Sequence, residues 1–281
     1  MPKIAIAGNV AVDRIDGSPP SPGGCPSFAA LALRMLGRDG QILTRYAPAD
    51  RALFDPVLST LCVPVTTLPA SSTNGFGFRY EGEHRTMTVD AIGHQWIPTD
   101  AAALDSDVAW VHVAPLLRSD FPPQALAALA GGGRVVSYDG QGLVRVPEIG
   151  PMKVDAAFDP ALLEPISVLK LAEDEAVVVA KGPFEERDAR ILGAREILVT
   201  YGSEGCTLYV DGASHHVPAA WRVLDVQTTG AGDVFMVGYV AARNDGEEPV
   251  AAAKLASELV ARMLDERKRR GHHGTLVVNQ A

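Results

Sequence analysis

The sequence predicts an α/β protein with a central, mostly parallel sheet flanked by helices. Three observations lead there. Short β-branched runs alternate with longer Ala/Leu-rich runs, the pattern of successive βαβ units. A chain of 281 residues can bury a sizeable core without metal or disulfide staples. The three cysteines, Cys25, Cys62 and Cys206, are odd in number and far apart, with no CxxC pair. A disulfide framework or structural zinc site is therefore not expected, and a reducing cytoplasm is the expected setting.

Taken in order, Lys3 to Ala7 (KIAIA) reads as a buried strand followed at once by glycine. Ser27 to Leu36 reads as a helix that Gly37 stops in a left-handed cap. Thr73 to Val89 alternates aromatic and then Thr/Met/Val residues around Glu81-Gly82, so it reads as a hairpin projecting from the sheet. Val108 to Val113, Arg134 to Tyr138, Val168 to Leu171 and Glu196 to Tyr201 read as further core strands. Pro122 to Ala130, Glu173 to Val179 and Glu185 to Leu192 read as the helices between them. CTLYV and the Asp211-Gly212 turn predict an antiparallel hairpin on the sheet edge. WRVLDV (Trp221 to Val226) reads as strand-like, and Ala231 to Arg243 and Val250 to Arg270 as helices. No linker is evident, so residues 1–281 read as one domain, with a small β-lid from about 10–20 and 73–90.

Composition excludes some classes. The formal net charge of -9 argues against nucleic-acid binding by a basic face. No run reaches the roughly 18–20 apolar residues of a membrane span, and the apolar start meets Asp13 too soon for a signal peptide. Any phosphate must be held by local dipoles or a few chosen residues.

The stretch that offers this is QTTGAGDVF, Gln227 to Phe235. Gly230, Ala231 and Gly232 have little or no side chain, so their amides can converge on an anion at a helix N-terminus. Asp233 follows inside the first turn. If the anion is a nucleotide's terminal phosphate, Asp233 can take the proton of an attacking hydroxyl. The alternative is an acid that merely complements the helix dipole. No GK[ST] of a Walker loop follows, and GNVAVD after the first strand lacks the GxGxxG of a dinucleotide site.

TTGAGDVF resembles the C-terminal signature of the PfkB, or ribokinase-like, carbohydrate kinases. Other stretches resemble that family in the same order: Asn9 and Asp13 after the first strand, Gly23-Gly24 before a helix, LAEDEA (Leu171 to Ala176) and VTYGSEG (Val199 to Gly205). YDGQGLVRVPE, VHVAPLL and AAWR resemble the myo-inositol kinase-like branch. The resemblance implies a ribokinase-like fold and transfer of the γ-phosphoryl group of ATP, with Mg²⁺, to a sugar or cyclic polyol. Alternatives are a ribose or nucleoside kinase of the same family, or a catalytically weak nucleotide- or polyol-binding protein.

By the same resemblance Asp233 is the base and Gly230, Ala231 and Gly232 are the anion hole. Asn9, Asp13, Gly23 and Gly24 face the acceptor. Thr200, Gly202, Gly205 and Thr228 border the nucleotide, with Gly274 beside its adenine. Glu175 attends the metal. Asp139 and Gln141 follow the C-terminal end of a core strand, where ligands of open α/β sheets collect, and Arg222 and Arg85 are candidate cations. The expected partners are a small sugar or polyol and a nucleotide, with no nucleic acid or membrane, in a monomer or homodimer. The sequence departs from the family at three positions. Gln227 stands where Asp is usual before the core motif, Phe28 where the diglycine helix commonly carries Asn, and Ala172 where the magnesium segment starts with Asn. His112 reads as a buried core histidine, and Arg267 to Arg270 as a solvated run at a helix end.

Overall fold

The computed structural model describes residues 3–81 and 84–271. The chain enters through β1 (Lys3–Gly8), β2 (Val10–Ile15), β3 (Ser21–Gly24), α1 (Pro26–Leu36) and β4 (Gly40–Arg45). It continues through α2 (Arg51–Leu58), β5 (Val65–Leu68), β6 (Asn74–Glu81) and β7 (His84–Ala91). Next come β8 (Val108–Ala114), α3 (Pro123–Leu129), β9 (Val135–Asp139), α4 (Gln141–Val144) and β10 (Gly150–Pro151). Then follow β11 (Val168–Ala172), α5 (Glu173–Ala180), α6 (Glu186–Leu192) and β12 (Glu196–Thr200). The chain ends with β13 (Cys206–Val210), β14 (Ala213–Val217), α7 (Ala231–Asn244) and α8 (Pro249–Arg269).

The main sheet has nine strands in the order β14-β13-β12-β11-β9-β8-β1-β4-β5. Strands β5 through β12 in that order pair parallel, and the β13-β14 hairpin adds two antiparallel strands at one edge. Side chains alternate across the sheet. Ile4, Ile6, Ile42 and Leu198 pack with α1, α7 and α8 on one face. Ala5, Ala7, Leu43, Leu169 and Leu171 pack with α3, α5 and α6 on the other. Sandwiched between sheet and α8, α7 is apolar nearly all round, and Val234 to Ala242 are buried without a break. A β-carbon on Gly238 would stand 3.1 Å from the Ala256 Cα, so a glycine there lets the two helices close up.

A second sheet of five strands, β10-β7-β6-β2-β3, stands apart from the first. The chain passes from β1 into β2 through the single residue Asn9, so the small sheet is hung directly on the C-terminal end of a central strand. It is wider than residues 10–20 and 73–90: Ser21–Gly24 and Gly150–Pro151 also belong to it. Gly23 and Gly24 lie in its edge strand β3.

One expected strand is absent. Trp221 to Val226 runs irregularly with no strand partner, and Leu224 is 65% exposed. Contacts with α8 hold the segment instead. Ala220 N–H donates to Ser257 Oγ at 2.8 Å, Trp221 Nε1 to Asp265 Oδ2 at 2.9 Å, and Lys268 Nζ to the Leu224 carbonyl at 2.9 Å.

Candidate active site

The start of α7 carries the glycine motif. Gly230 is its N-cap with φ +82, a left-handed backbone that disfavours any side chain. A β-carbon there would also stand 2.1 Å from the Phe28 ring, so Phe28 on α1 fills that space. Ala231 does not serve the anion hole, because its N–H turns back to the Thr228 carbonyl at 3.0 Å. In the first turn of α7 the Gly230, Gly232 and Asp233 amides donate to no backbone carbonyl. A helix N-terminus with open amides favours an anion.

Asp233 stands beside them in a ring of charge. Burial raises its pKa and the Asp139 carboxylate adds to this; the Cys25 thiol, Lys170 and Arg145 pull the other way, leaving it at about 6. The thiol donates to the carboxylate from the N-cap position of α1. Burial, and then Asp233, hold that thiol well above its ordinary pKa, so Cys25 remains a donor and not a nucleophile. Lys170 Nζ lies 3.4 Å from both Asp139 oxygens. Burial works against its charge, but Asp139, Glu175 and Asp233 outweigh burial and raise its pKa.

On the small-sheet side, Asp13 of β2 extends over Gly23 of β3. A β-carbon on Gly23 would stand 2.0 Å from Asp13 Oδ2, so only glycine leaves room for this carboxylate. Burial pushes Asp13 up to about 7, against the pull of Arg145. Gly24 packs on the Asn9 backbone, with φ +98. Asn9 itself is buried at the crossing between sheets. Its Oδ1 accepts Trp96 Nε1 at 2.7 Å, and its side chain also supports the buried Asp120 carboxylate. Asp139 ends β9 in the charged ring, whereas Gln141 ties its Nε2 to the Pro115 carbonyl at 2.5 Å and so holds the turn into α4.

The residues expected at a nucleotide lie at the C-terminal end of β12 and in the loop just before α7. Thr200 Oγ1 donates to the Leu171 carbonyl at 3.3 Å, and Gly202 and Gly205 bend the chain from β12 into β13. The Thr228 carbonyl closes the first turn described above. Arg222 is exposed in the irregular segment beside α8, apart from the charged ring. The basic run 267–270 is not simply solvated, because Arg267 is half-buried and donates to the Gln227 and Thr229 carbonyls, clamping the loop that leads into α7. Gly274 and the Arg85 side chain lie outside the described residues.

Glu175 fits a magnesium ion only indirectly. Its Oε2 accepts the Ala172 N–H at 2.8 Å, a helix-start bond, which leaves Oε1 open. No cluster of three His, Cys, Asp or Glu side chains set for a metal occurs among the described residues. That donor set suits an ion brought in with phosphates and bridged by water, since Mg²⁺ keeps much of its water shell. His112 is fully buried with Nδ1 3.1 Å from Ser137 Oγ; burial drives its pKa down to about 4, so it is neutral.

The sequence reading missed two cations. Arg145, just after α4, influences Asp13, Glu175 and Asp233 together. Nothing in its local pattern marks it. Lys170 had a signal: a lysine interrupts the otherwise apolar run VLKLA in a central strand.

A parallel α/β layer, a small sheet hung on its strand ends and an open-amide helix start beside a carboxylate together define the ribokinase-like architecture. Comparison with known proteins agrees. Residues 152–267 match the pfkB family carbohydrate kinases. An inositol 3-kinase of Zea mays is 29% identical over 42% of this chain, and the match spans only 30% of the maize protein. A fructokinase of Klebsiella pneumoniae is 27% identical over 92% of this chain and 89% of its own. A pyrophosphate-dependent kinase in the ribokinase family, solved with a pyrophosphate analogue and myo-inositol, superposes with a TM-score of 0.77 at 22% identity, over 94% of this chain and 95% of that one. The chain has the ribokinase-like fold, and its residues 152–267 are similar to the pfkB family carbohydrate kinases. Among the described residues no helix is long and apolar enough to cross a membrane.

Proposed function

We propose that this protein transfers the terminal phosphoryl group of ATP to a hydroxyl of a sugar or cyclic polyol, with myo-inositol the favoured acceptor. The observation that carries the reading is Asp233. It stands in the first turn of α7 beside unpaired amides, at a pKa of about 6 that leaves it ionised yet basic near neutral pH.

The acceptor enters between the small sheet and the main sheet. Asp13, with two oxygens over Gly23, binds a pair of adjacent hydroxyls. Asp233 takes the proton of the attacking hydroxyl. The Gly230, Gly232 and Asp233 amides stabilise the charge on the phosphoryl oxygens without a basic protein surface, and Arg145 supplies positive charge on the acceptor side. The small sheet acts as a lid that excludes water as a competing acceptor. A magnesium ion bound with the donor would neutralise its phosphates, held at the protein through water on Glu175 Oε1. The protein is expected to work in the cytoplasm as a monomer or homodimer.

The test is a panel of myo-inositol, fructose, ribose and a nucleoside, each with ATP and Mg²⁺, read by ADP release. Pyrophosphate is run as a second donor with phosphate release. Turnover with myo-inositol above the others supports the full reading. Turnover with fructose or ribose alone keeps the enzyme class and changes the acceptor, and no turnover with any pair rejects the reading.

A further inference from the structure

We propose that Asp120 is a positioning residue that ties the small sheet to the floor of the acceptor cleft and so sets how tightly the acceptor is held under Asp13. The proposal rests on the phosphoryl-transfer reading above.

Asp120 lies in the loop after β8 and is fully buried. A carboxylate there is costly unless its oxygens are satisfied. Its Oδ2 accepts the Leu116 N–H at 2.7 Å and the Leu117 N–H at 3.1 Å. Asn74 Nδ2 donates to it from 3.2 Å at Oδ1 and 3.3 Å at Oδ2, and the Asn9 side chain acts on it too. The Asp120 carbonyl accepts the Trp96 N–H at 2.8 Å. Burial raises its pKa, but each group that reaches the carboxylate donates, so the pocket fits the ionised form. Arg45 feels this charge but is committed elsewhere. It pairs with Asp100, donates to the Gln95 carbonyl at 2.7 Å and lies over the Trp96 ring.

These partners stand where the chain crosses between the sheets. Asn9 joins β1 to β2, Asn74 opens β6, and Trp96 lies on the return from β7. Leu116 and Leu117 follow β8 on the main-sheet side, and Ala11 and Phe76 of the small sheet pack with them. Ala11 shares the face of Asp13, two residues on, and Phe76 is the register partner of Asp13 on β6. The height of Asp13 over the site thus follows from how the small sheet sits on Leu116 and Leu117. Asp120 bonds both sides of that contact. Asn74 is not free to turn, because its Oδ1 accepts the Gly93 N–H at 2.7 Å.

Asp120→Asn tests this. Its oxygen can still take the Leu116 and Leu117 amides, but its new amide then faces that of Asn74. The acceptor KM should rise at least about 10-fold, with kcat and the ATP KM within a few-fold of wild type. Loss of folded protein alone would lower kcat and leave the acceptor KM unmoved. Asp120→Asn/Asn74→Asp reverses the pair and restores a donor facing an acceptor, so the acceptor KM should return to within about 3-fold of wild type. A normal acceptor KM in Asp120→Asn, or a reversed pair no better than Asp120→Asn, overturns the proposal. If Asp120→Asn does not fold, Asn74→Ala cuts the same link from the small-sheet side. A raised acceptor KM there supports the proposal, and an unmoved one overturns it. Inactivity of the wild type with every acceptor rejects the kinase reading instead, and hydrogen exchange then decides Asp120. Amides of β2 and β6 that exchange at least about 10-fold faster in Asp120→Asn, with β8 and β9 unchanged, support the link. Equal exchange overturns it.

Discussion

Asp233 and Asp13 are carboxylates kept out of water, and each is raised for that reason first, to about 6 and about 7. The catalytic consequence concerns Asp233. A base must be unprotonated, so kcat should fall as pH drops through about 6 and level off above it, measured with saturating acceptor. The stability consequence is clearer at Asp13, which is shielded by the small sheet and receives no hydrogen bond on its carboxylate among the described residues. Its folded pKa lies above the unfolded value, so the native state binds the extra proton between about pH 4 and 7, and its contribution to stability falls as pH rises through that window. Asp13→Asn should therefore stabilise the apoprotein at pH 8 by roughly 1–3 kcal/mol and leave it unchanged near pH 3, as read by urea unfolding. No gain at pH 8 would mean that Asp13 is better solvated than its place over Gly23 implies. Sequence patterning could not supply these values, because they depend on a neighbour such as Arg145 that is remote in sequence from both acids.

At the level of elements, α7 was the most legible part of the molecule. Small residues, an acid and an apolar run marked its start. Its cap depends on α1, which sequence did not reveal: the Phe28 ring occupies the space beside Gly230. Gly230→Ala should cost about 2–4 kcal/mol, from the left-handed backbone and the clash together. Unfolding of Gly230→Ala beside Phe28→Ala/Gly230→Ala would separate the two, since only the clash is relieved in the double variant. A fully stable Gly230→Ala would contradict this account of the cap. The loop before α7 was misread for a physical reason. WRVLDV alternates like a strand but pairs with none; Lys268 holds its Leu224 carbonyl from α8, and Arg267 holds the Gln227 and Thr229 carbonyls just beyond it. Side chains that clamp a backbone from a distant helix leave no periodic mark in the sequence. A lysine inside an apolar strand does leave a mark, and VLKLA showed it.

Across the whole molecule, the parallel sheet and its two helical layers follow from runs that bury alternate faces, such as KIAIA and EILVT. The small sheet was harder to read. The 74–81 and 84–91 hairpin declared itself by alternation, but Ser21–Gly24 and Gly150–Pro151 join through backbone pairing of glycine and proline residues, which carry no β signal. Hanging that sheet from Asn9 brings Asp13 over the main-sheet ends where Asp139, Lys170 and the start of α7 meet. On the proposed function, the acidic chain would hold phosphate locally, with buried cations and open amides in place of a basic surface.

The central claim is that the carboxylate at the start of α7 is the base for phosphoryl transfer. It is tested most directly by Asp233→Asn, with turnover of ATP and the best acceptor of the panel measured beside ATP affinity. The account predicts a kcat at least about 100-fold lower, with ATP affinity within a few-fold of wild type. A variant that turns over at near-normal rate would contradict it.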